Sequence, residues 1–320
     1  MAPSHSFCGR LSETVTQGAN EGPGLGSPTC PRLRLPATWH KDGRCFAWWG
    51  PRSRRLLCLS LYTLRDQLKN VLSFHCRHVK GRGGLKGAVR ELARRVGSFR
   101  FVARFDIAAY YDSMQHETIM GLLDTAGVDE TLRSVVQQYL ALPDLNQTGR
   151  GMVAGGSLSP LLGALYLLPL DNTMHRHVVT GRIHYVRYMD DIIILAKTRW
   201  HLRAAIRSLN EAIASVGLCL HQEKRFVGRM DKGFDFLGYQ IHPSRRLRPS
   251  AESLRCLVVR AGRLYEQGDD IGRLRQYVTR WTPWLWGALD GLVSRKGGFK
   301  RYLVHVLIKL RISGITLPRA

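Results

Sequence analysis

The sequence predicts an α+β fold, an antiparallel sheet backed by helices, and three features carry that prediction. Between Phe101 and Ile241 the extended and helical patterns follow one another in the order β, α, α, β, β, α, β, β, which fits the split βαβ logic. Inside that order, Ile183 to Tyr188 and Ile192 to Ala196 are closely spaced β-rich runs that predict a hairpin. Just after it, Leu202, Ile206, Leu209, Ile213 and Val216 recur at spacings of three and four, so Trp200 to Val216 is expected to be a helix that buries one face.

Taken in order, residues 1 to 45 are dense in Gly, Pro and Ser, as in Gly22-Pro23-Gly24-Leu25-Gly26-Ser27-Pro28, and show no period, so this segment is expected to be poorly ordered. Residues 46 to 100 form a second segment. It begins with Trp48 and Trp49 followed by Arg52, Arg54 and Arg55, and Leu56 to Val71 is loosely helical. Such a stretch can stack on and neutralise a nucleic acid strand, although buried Trp packing is the commoner use. His78 to Arg95 is a Gly-rich basic loop running into a helix. It lacks the GxxxxGK[ST] pattern of a nucleotide P-loop, yet Lys80, Arg82 and Lys86 stand where cations and exposed amides can hold phosphates.

Phe101 to Ile107 reads as a short strand with Asp106 near its end. Asp112 with Gln115 has the form of a capping box for a helix from about His116 to Thr125, which assigns Asp112 to structure. Leu140 to Gly151 is expected to be a loop or strand pair. Ser159 and Pro160 are expected to open, as N-cap and N1, a helix reaching about Val178 that is apolar almost all round except for Asp171 and its basic end. Strands are expected at Leu218 to Val227 and Phe234 to Ile241. From Ser244 onward Arg and Lys recur among Leu and Trp, which reads as a small helical region, basic on one face, with Trp281, Trp284 and Trp286 packing its core.

Lys plus Arg outnumber Asp plus Glu by 48 to 24, giving a net charge of +24 and a pI near 10.4. A polyanionic partner follows, nucleic acid by default. An anionic membrane surface is the other candidate, but no stretch approaches the ~20 apolar residues of a spanning helix and the first thirty residues lack a signal-peptide core. The seven cysteines show no CxxC spacing and read as reduced thiols, which places the protein in the cytoplasm. His75-Cys76-Arg77-His78 has no partner pair at zinc-binding spacing and reads as packing.

Candidate chemistry centres on Asp190 and Asp191, between the two runs of the expected hairpin. Taken alone, adjacent aspartates are better read as a solvated turn. The third acid, Asp106, on a comparable strand end changes that reading. Three carboxylates on neighbouring strand ends suit a pair of Mg²⁺ ions, which take oxygen ligands and keep further positions for water or phosphates.

These residues also carry a family resemblance. Tyr188-Met189-Asp190-Asp191 resembles the YxDD box of reverse transcriptases, Phe105 to Ser113 (FDIAAYYDS) looks like their first catalytic motif, and Gly155 to Leu167 (GGSLSPLLGALYL) is similar to the segment between. Gly217 to Arg225 and Phe234 to Ile241 resemble the two later palm motifs, so the likeness covers about residues 75 to 245 in matching order. It implies a right-hand polymerase: partial fingers over 46–100, an antiparallel palm sheet backed by helices over 101–243, and a small helical thumb over 244–320. The fingers stretch is shorter than usual and lacks the usual first motif. Ser159-Pro160 and the FLGYQI segment resemble bacterial group II intron-like enzymes in a short form.

The implied activity is that of an RNA-directed DNA polymerase, with two Mg²⁺ ions (Mn²⁺ as a substitute) held by Asp106, Asp190 and Asp191. Partners would be an RNA template, a DNA or RNA primer, deoxynucleotides and an associated structured RNA, with no membrane. Lys224 resembles the family's late lysine, a proton donor to pyrophosphate, with an exposed strand-end lysine as the plain alternative. Nucleotide contacts fall on Ile107, Tyr111, Gly155 and Ser157. Nucleic-acid contacts fall on Lys80, Arg82 and Lys86, and on Phe236, Leu237 and Gly238, which resemble the primer grip, although a bulge also explains Gly238. Tyr111 is expected to gate the incoming sugar, unless it packs the palm and Tyr110 faces the site. Ala154 stands where most relatives carry Gln, a lost hydrogen bond of ~1 kcal/mol or more. With the short fingers, that substitution supports a second reading: a catalytically weak or inactive nucleic-acid-binding relative.

Overall fold

The structure, a computed structural model, describes residues 16–20, 31–41, 44–266, 271–289 and 298–309. The chain divides into two compact units, residues 1–73, 107–172 and 210–220 in one and residues 74–106, 173–209 and 221–320 in the other. No helix among the described residues is long and apolar enough to cross a membrane.

The first unit opens with three antiparallel strands, β1 (Thr16–Asn20), β2 (Leu35–Lys41) and β3 (Arg44–Trp48). Among the described residues of 1 to 45, Thr16–Asn20, Leu35–Lys41 and the start of β3 correct the expectation of a poorly ordered segment. Gly, Pro and Ser crowd 22–28, outside the described residues, and mask the β-forming runs on either side. Trp39 faces Phe46 across β2 and β3 with the rings stacked 5.7 Å apart, an aromatic pair of the kind that fixes register. Helix α1 (Pro51–Gln67) follows and buries Leu57 and Leu64. Trp48 is exposed while Trp49 is buried on Tyr139, rings 5.5 Å apart, so Trp49 packs the core.

Helix α2 (Gly84–Arg95) and the strand β4 (Phe101–Phe105) belong to the second unit, and the chain re-enters the first at β5 (Ile107–Ala108). Next come α3 (His116–Thr125), α4 (Glu130–Ala141) and α5 (Ser159–Tyr166). The expected bounds of α3 are met, but Gln115 occupies its N-cap without a side-chain cap bond, so Asp112 does not form the capping box. Desolvation by the surrounding protein raises the Asp112 pKa against the opposing charges of Arg44 and His40. Helix α4, an element beyond those expected from the sequence, is capped by Asp129, which accepts from the amides of Thr131 and Leu132.

The single helix expected from Leu161 to Val178 is two, α5 and α6 (Leu168–Val179). Pro169 in the first turn of α6 has no N–H to bond back toward α5 and so cannot continue it. Ser159 lies inside α5, donating its hydroxyl to the Val153 carbonyl at 2.6 Å, and Leu158 takes the N-cap. The hairpin β6 (Ile183–Tyr188) and β7 (Asp191–Ala196) comes next, then α7 (Arg199–Ser215), which buries Leu202, Leu209 and Ile213 as its spacing requires.

Where one strand was expected from Leu218 to Val227 there are two, β8 (Cys219–Leu220), paired with β5, and β9 (Phe226–Arg229), paired with β4. The run from Phe234 to Ile241 also splits, into β10 (Phe234–Phe236) and β11 (Tyr239–His242), because Leu237 at φ 48° and Gly238 at φ 83° turn the chain as a two-residue hairpin. Strand β12 (Arg245–Pro249) completes that small sheet.

The second unit is built on the antiparallel sheet β6-β7-β4-β9. Its interior strand β7 is buried from Ile192 to Ala196, on both faces. Val102, Val186, Ile193 and Leu195 from this sheet share a core with Ala88, Val89 and Leu92 of α2 and with Phe234, Phe236, Tyr239 and Ile241. Helices α8 (Ala251–Glu266), α9 (Ile271–Leu289) and α10 (Gly298–Lys309) bury Leu257, Leu274, Val278 and Val306 among themselves. Trp281 and Trp284 pack on the sheet core as expected, Trp284 stacking on Tyr239 at 5.2 Å. The side chain of Trp286 lies outside those described.

Candidate active site

The ladder register sets the acids. In the antiparallel pair β4 and β7, Phe105 stands opposite Ile192, so the next residue out on each side brings Asp106 and Asp191 to the same end of the sheet. Tyr188 pairs with Asp191 across β6 and β7, which leaves Met189 and Asp190 as the two-residue turn. Met189 is held there at φ 55°, a left-handed conformation uncommon for a side chain of its size. The carbonyl of Asp106 accepts from the amide of His221 at 2.7 Å, fixing the backbone where β4 ends.

Electrostatics marks the cluster as short of positive charge. The Asp191 carboxyl is pushed up to about 7, first by burial and then by the negative charges of Asp190 and Asp106, against the opposing pull of Arg104 and Lys224. Lys224 Nζ lies 2.7 Å from Asp106 Oδ2; the lysine side chain is 60% exposed and the aspartate 14%. Contrary to expectation Lys224 ends no strand: it sits in the turn before β9. An ion pair with so exposed a partner is worth little, so the ammonium can leave Asp106 at small cost.

Among the described residues no three His, Cys, Asp or Glu side chains form a ready-made metal cage. Mg²⁺ does not need one, since it is bound through one or two carboxylates with waters and substrate phosphates completing its shell. The donor set here fits it: hard carboxylate oxygens whose mutual repulsion favours capture of a cation.

The basic loop lies in the same unit as the acids. Lys80 and Lys86 are exposed and Arg82 half-buried, and Gly81, Gly83 and Gly84 all take positive φ there. Arg82 lines a cleft of about 590 Å³ together with Arg77, Arg90, Glu91, Arg94 and Arg95. The last three arginines were missed as candidates; their signal was the spacing of Arg90 and Arg94 on the face of α2 opposite Val89 and Leu92. Two of the expected primer contacts are otherwise engaged. Phe236 is 1% exposed and part of the core, so its ring is withheld from nucleic acid. A Cβ on Gly238 would lie 2.8 Å from both Ser253 Oγ and the Trp284 ring, so this glycine answers to packing at a hairpin turn. Leu237 is half-exposed.

Ile107, Tyr111, Gly155 and Ser157 belong to the first unit. The Ile107 side chain is buried in the β5 and β8 pair, leaving its backbone for any contact. Tyr110 is buried with its hydroxyl donating to the Gly163 carbonyl at 2.7 Å, whereas Tyr111 is half-exposed in the turn. Gly155 is exposed at φ 68°, Ser157 is exposed, and the amide of Ala154 donates to the Cys45 carbonyl at 2.6 Å. A Cβ at Gly156 would collide with the Tyr139 hydroxyl, which accounts for the second glycine of the motif.

Residues 55–241 match the family model of the reverse transcriptases, RNA-dependent DNA polymerases, a span that includes all of the acids above. The chain belongs to the reverse transcriptase family. It is 30% identical over 89 residues to the group II intron-encoded protein LtrA of Lactococcus lactis, which is 26% of this chain and 15% of LtrA. It is 21% identical over 178 residues to protein YkfC of Escherichia coli, 44% of this chain and 47% of YkfC. The chain therefore matches less than half the length of either curated relative. Among solved structures, apo telomerase from Candida tropicalis superposes with a TM-score of 0.51 at 13% identity, covering 93% of this chain and 64% of the telomerase. The fold of this reverse transcriptase, helices with an antiparallel sheet, is that of a right-hand polymerase palm.

Proposed function

We propose that this reverse transcriptase is an RNA-directed DNA polymerase that adds deoxynucleotides to the 3′-hydroxyl of a DNA or RNA primer along an RNA template, by two-metal phosphoryl transfer. The register that gathers Asp106, Asp190 and Asp191 at one end of one sheet, with Asp191 shifted toward neutrality by burial and then by its acidic neighbours, carries the reading. When bound, two Mg²⁺ ions supply activation of the primer hydroxyl and neutralisation of the leaving pyrophosphate. Asp106 and Asp190 would hold them, with Asp191 the weaker ligand. Lys224, freed from Asp106, is the candidate to deliver a proton to the pyrophosphate.

The net charge of +24 supports a nucleic-acid partner, including an associated structured RNA. Lys80, Arg82 and Lys86 are proposed to hold phosphates, and Leu237 with the backbone around it to meet the primer. Tyr111, Gly155, Ser157 and the Ile107 backbone are proposed to line the nucleotide. Burial of Tyr110 supports Tyr111 as the ring that excludes a ribose 2′-hydroxyl. Ala154, where a hydrogen-bonding side chain is usual in the family, favours the second reading of a nucleic-acid-binding relative with weak or absent polymerisation. Incubating the protein with an RNA template, an annealed DNA primer, deoxynucleotides and Mg²⁺ separates the two: extension supports the polymerase, and tight RNA binding without extension supports the relative.

A further inference from the structure

The Met189 turn is gripped from both sides by residues far away in sequence or deep in the core. Segment His75 to Arg77 joins the edge of β6 through a parallel bridge between Cys76 and Arg187, in which the Arg187 amide donates to the His75 carbonyl at 3.0 Å and the Arg77 amide to the Arg187 carbonyl at 2.8 Å. That bridge carries His78 to the turn, where its Nδ1 accepts from the Met189 amide at 2.9 Å. A backbone amide can only donate, so Nδ1 is the acceptor there, with Cys76 Sγ also 3.3 Å from it. On the other side Nη1 of Arg187, a side chain with no exposed surface, donates to the Met189 carbonyl at 3.1 Å. Both backbone groups of the left-handed residue are thus held, and Met189 stands directly before Asp190 and Asp191.

We infer that His78 and Arg187 are positioning residues for the catalytic acids: together they hold Met189 at its positive φ and thereby fix the direction in which Asp190 and Asp191 leave the hairpin. A bulky side chain in the left-handed region is strained and needs surrounding structure to hold it. Two hydrogen bonds to its own backbone supply that hold. Catalysis by carboxylates is sensitive to displacements of about 1 Å, for which losses of ~10²-fold are typical. The inference rests on the reading of these acids as the catalytic centre.

Arg187 is too deeply buried for a clean substitution, so the test uses His78, which is half-exposed. His78→Leu removes the acceptor at similar size, whereas His78→Asn places Oδ1 where Nδ1 stands. The first readout, independent of polymerisation, is hydrogen exchange of the Met189 amide together with Mn²⁺ affinity measured by electron paramagnetic resonance. His78→Leu is expected to speed exchange of that amide and weaken Mn²⁺ binding by on the order of tenfold, and His78→Asn to restore both to within about threefold. The second readout is primer extension, in which kcat falls for His78→Leu with the deoxynucleotide KM unchanged and recovers in His78→Asn. An amide equally protected in the Leu variant, or an Asn variant no better than Leu, overturns the inference. If the unmodified protein fails to extend a primer, the polymerase reading falls while the exchange and Mn²⁺ measurements still decide the role of His78.

Discussion

Replacing Asp191 by Asn should stabilise this protein at alkaline pH when divalent cations are removed, although it deletes a proposed metal ligand. The side chain keeps its size and loses the charge that burial, Asp190 and Asp106 all disfavour. Moving a carboxyl from its ordinary 3.8 to about 7 spans about three pH units, and at ~1.4 kcal/mol each this sets a ceiling of roughly 4 kcal/mol, with about half that expected once residual solvent contact is allowed for. The folded state holds this proton more tightly than the unfolded chain. The stabilising contribution is therefore complete below the ordinary carboxylate range and is lost as pH rises through about 7. Urea titrations in EDTA at pH 5.5 and 8.5 measure it. The Asn variant should gain about 2 kcal/mol relative to the parent at pH 8.5 and about half that at pH 5.5, which lies midway between the ordinary 3.8 and about 7. Equal differences at both pH values, or a variant less stable at pH 8.5, would refute the electrostatic account of the cluster. Mg²⁺ should raise the parent's stability more at pH 8.5 than at pH 5.5, and the Asn variant's by less than the parent's.

Tyr111→Ala should admit ribonucleotides while Tyr110→Ala changes sugar selectivity little, measured as the ratio of deoxynucleotide to ribonucleotide incorporation; a loss confined to the Tyr110 variant contradicts the assignment. RNA affinity should fall steeply with salt, and removing Arg90, Arg94 and Arg95 together should flatten the slope of log affinity against log salt by about two, read by fluorescence anisotropy. Gly156→Ala should cost about 1–3 kcal/mol in thermal or urea unfolding, because its methyl meets the Tyr139 hydroxyl.

The acids were legible in the sequence because two local signals coincide there, β-forming runs and a charged interruption, whereas the β4 to β7 register that brings Asp106 beside Asp191 is a long-range pairing that no local pattern fixes. Breaks inside apolar runs were harder to see. Pro169 splits one helix into two within an unbroken hydrophobic pattern, and the turn at Leu237 and Gly238 lacks the Asn-Gly or Asp-Gly signature of its type. Strands β2 and β3 were obscured by the Gly and Pro content of the residues before them. The packing around Phe236 and Gly238 depends on Trp284 and Ser253, which come from elements further along the chain. The grip of His78 on Met189 joins residues 111 positions apart through a side chain and a backbone amide, and no local pattern announces such a contact.

The central claim is that Asp106, Asp190 and Asp191 form the metal-dependent centre of an RNA-directed DNA polymerase. Primer extension on an RNA template with Mg²⁺, comparing the parent protein with Asp190→Ala under conditions where both bind the same RNA, tests it most directly. The account predicts extension by the parent, a loss on the order of 10³-fold or more in the variant, and RNA affinity unchanged within about threefold. Comparable extension by both proteins would contradict it.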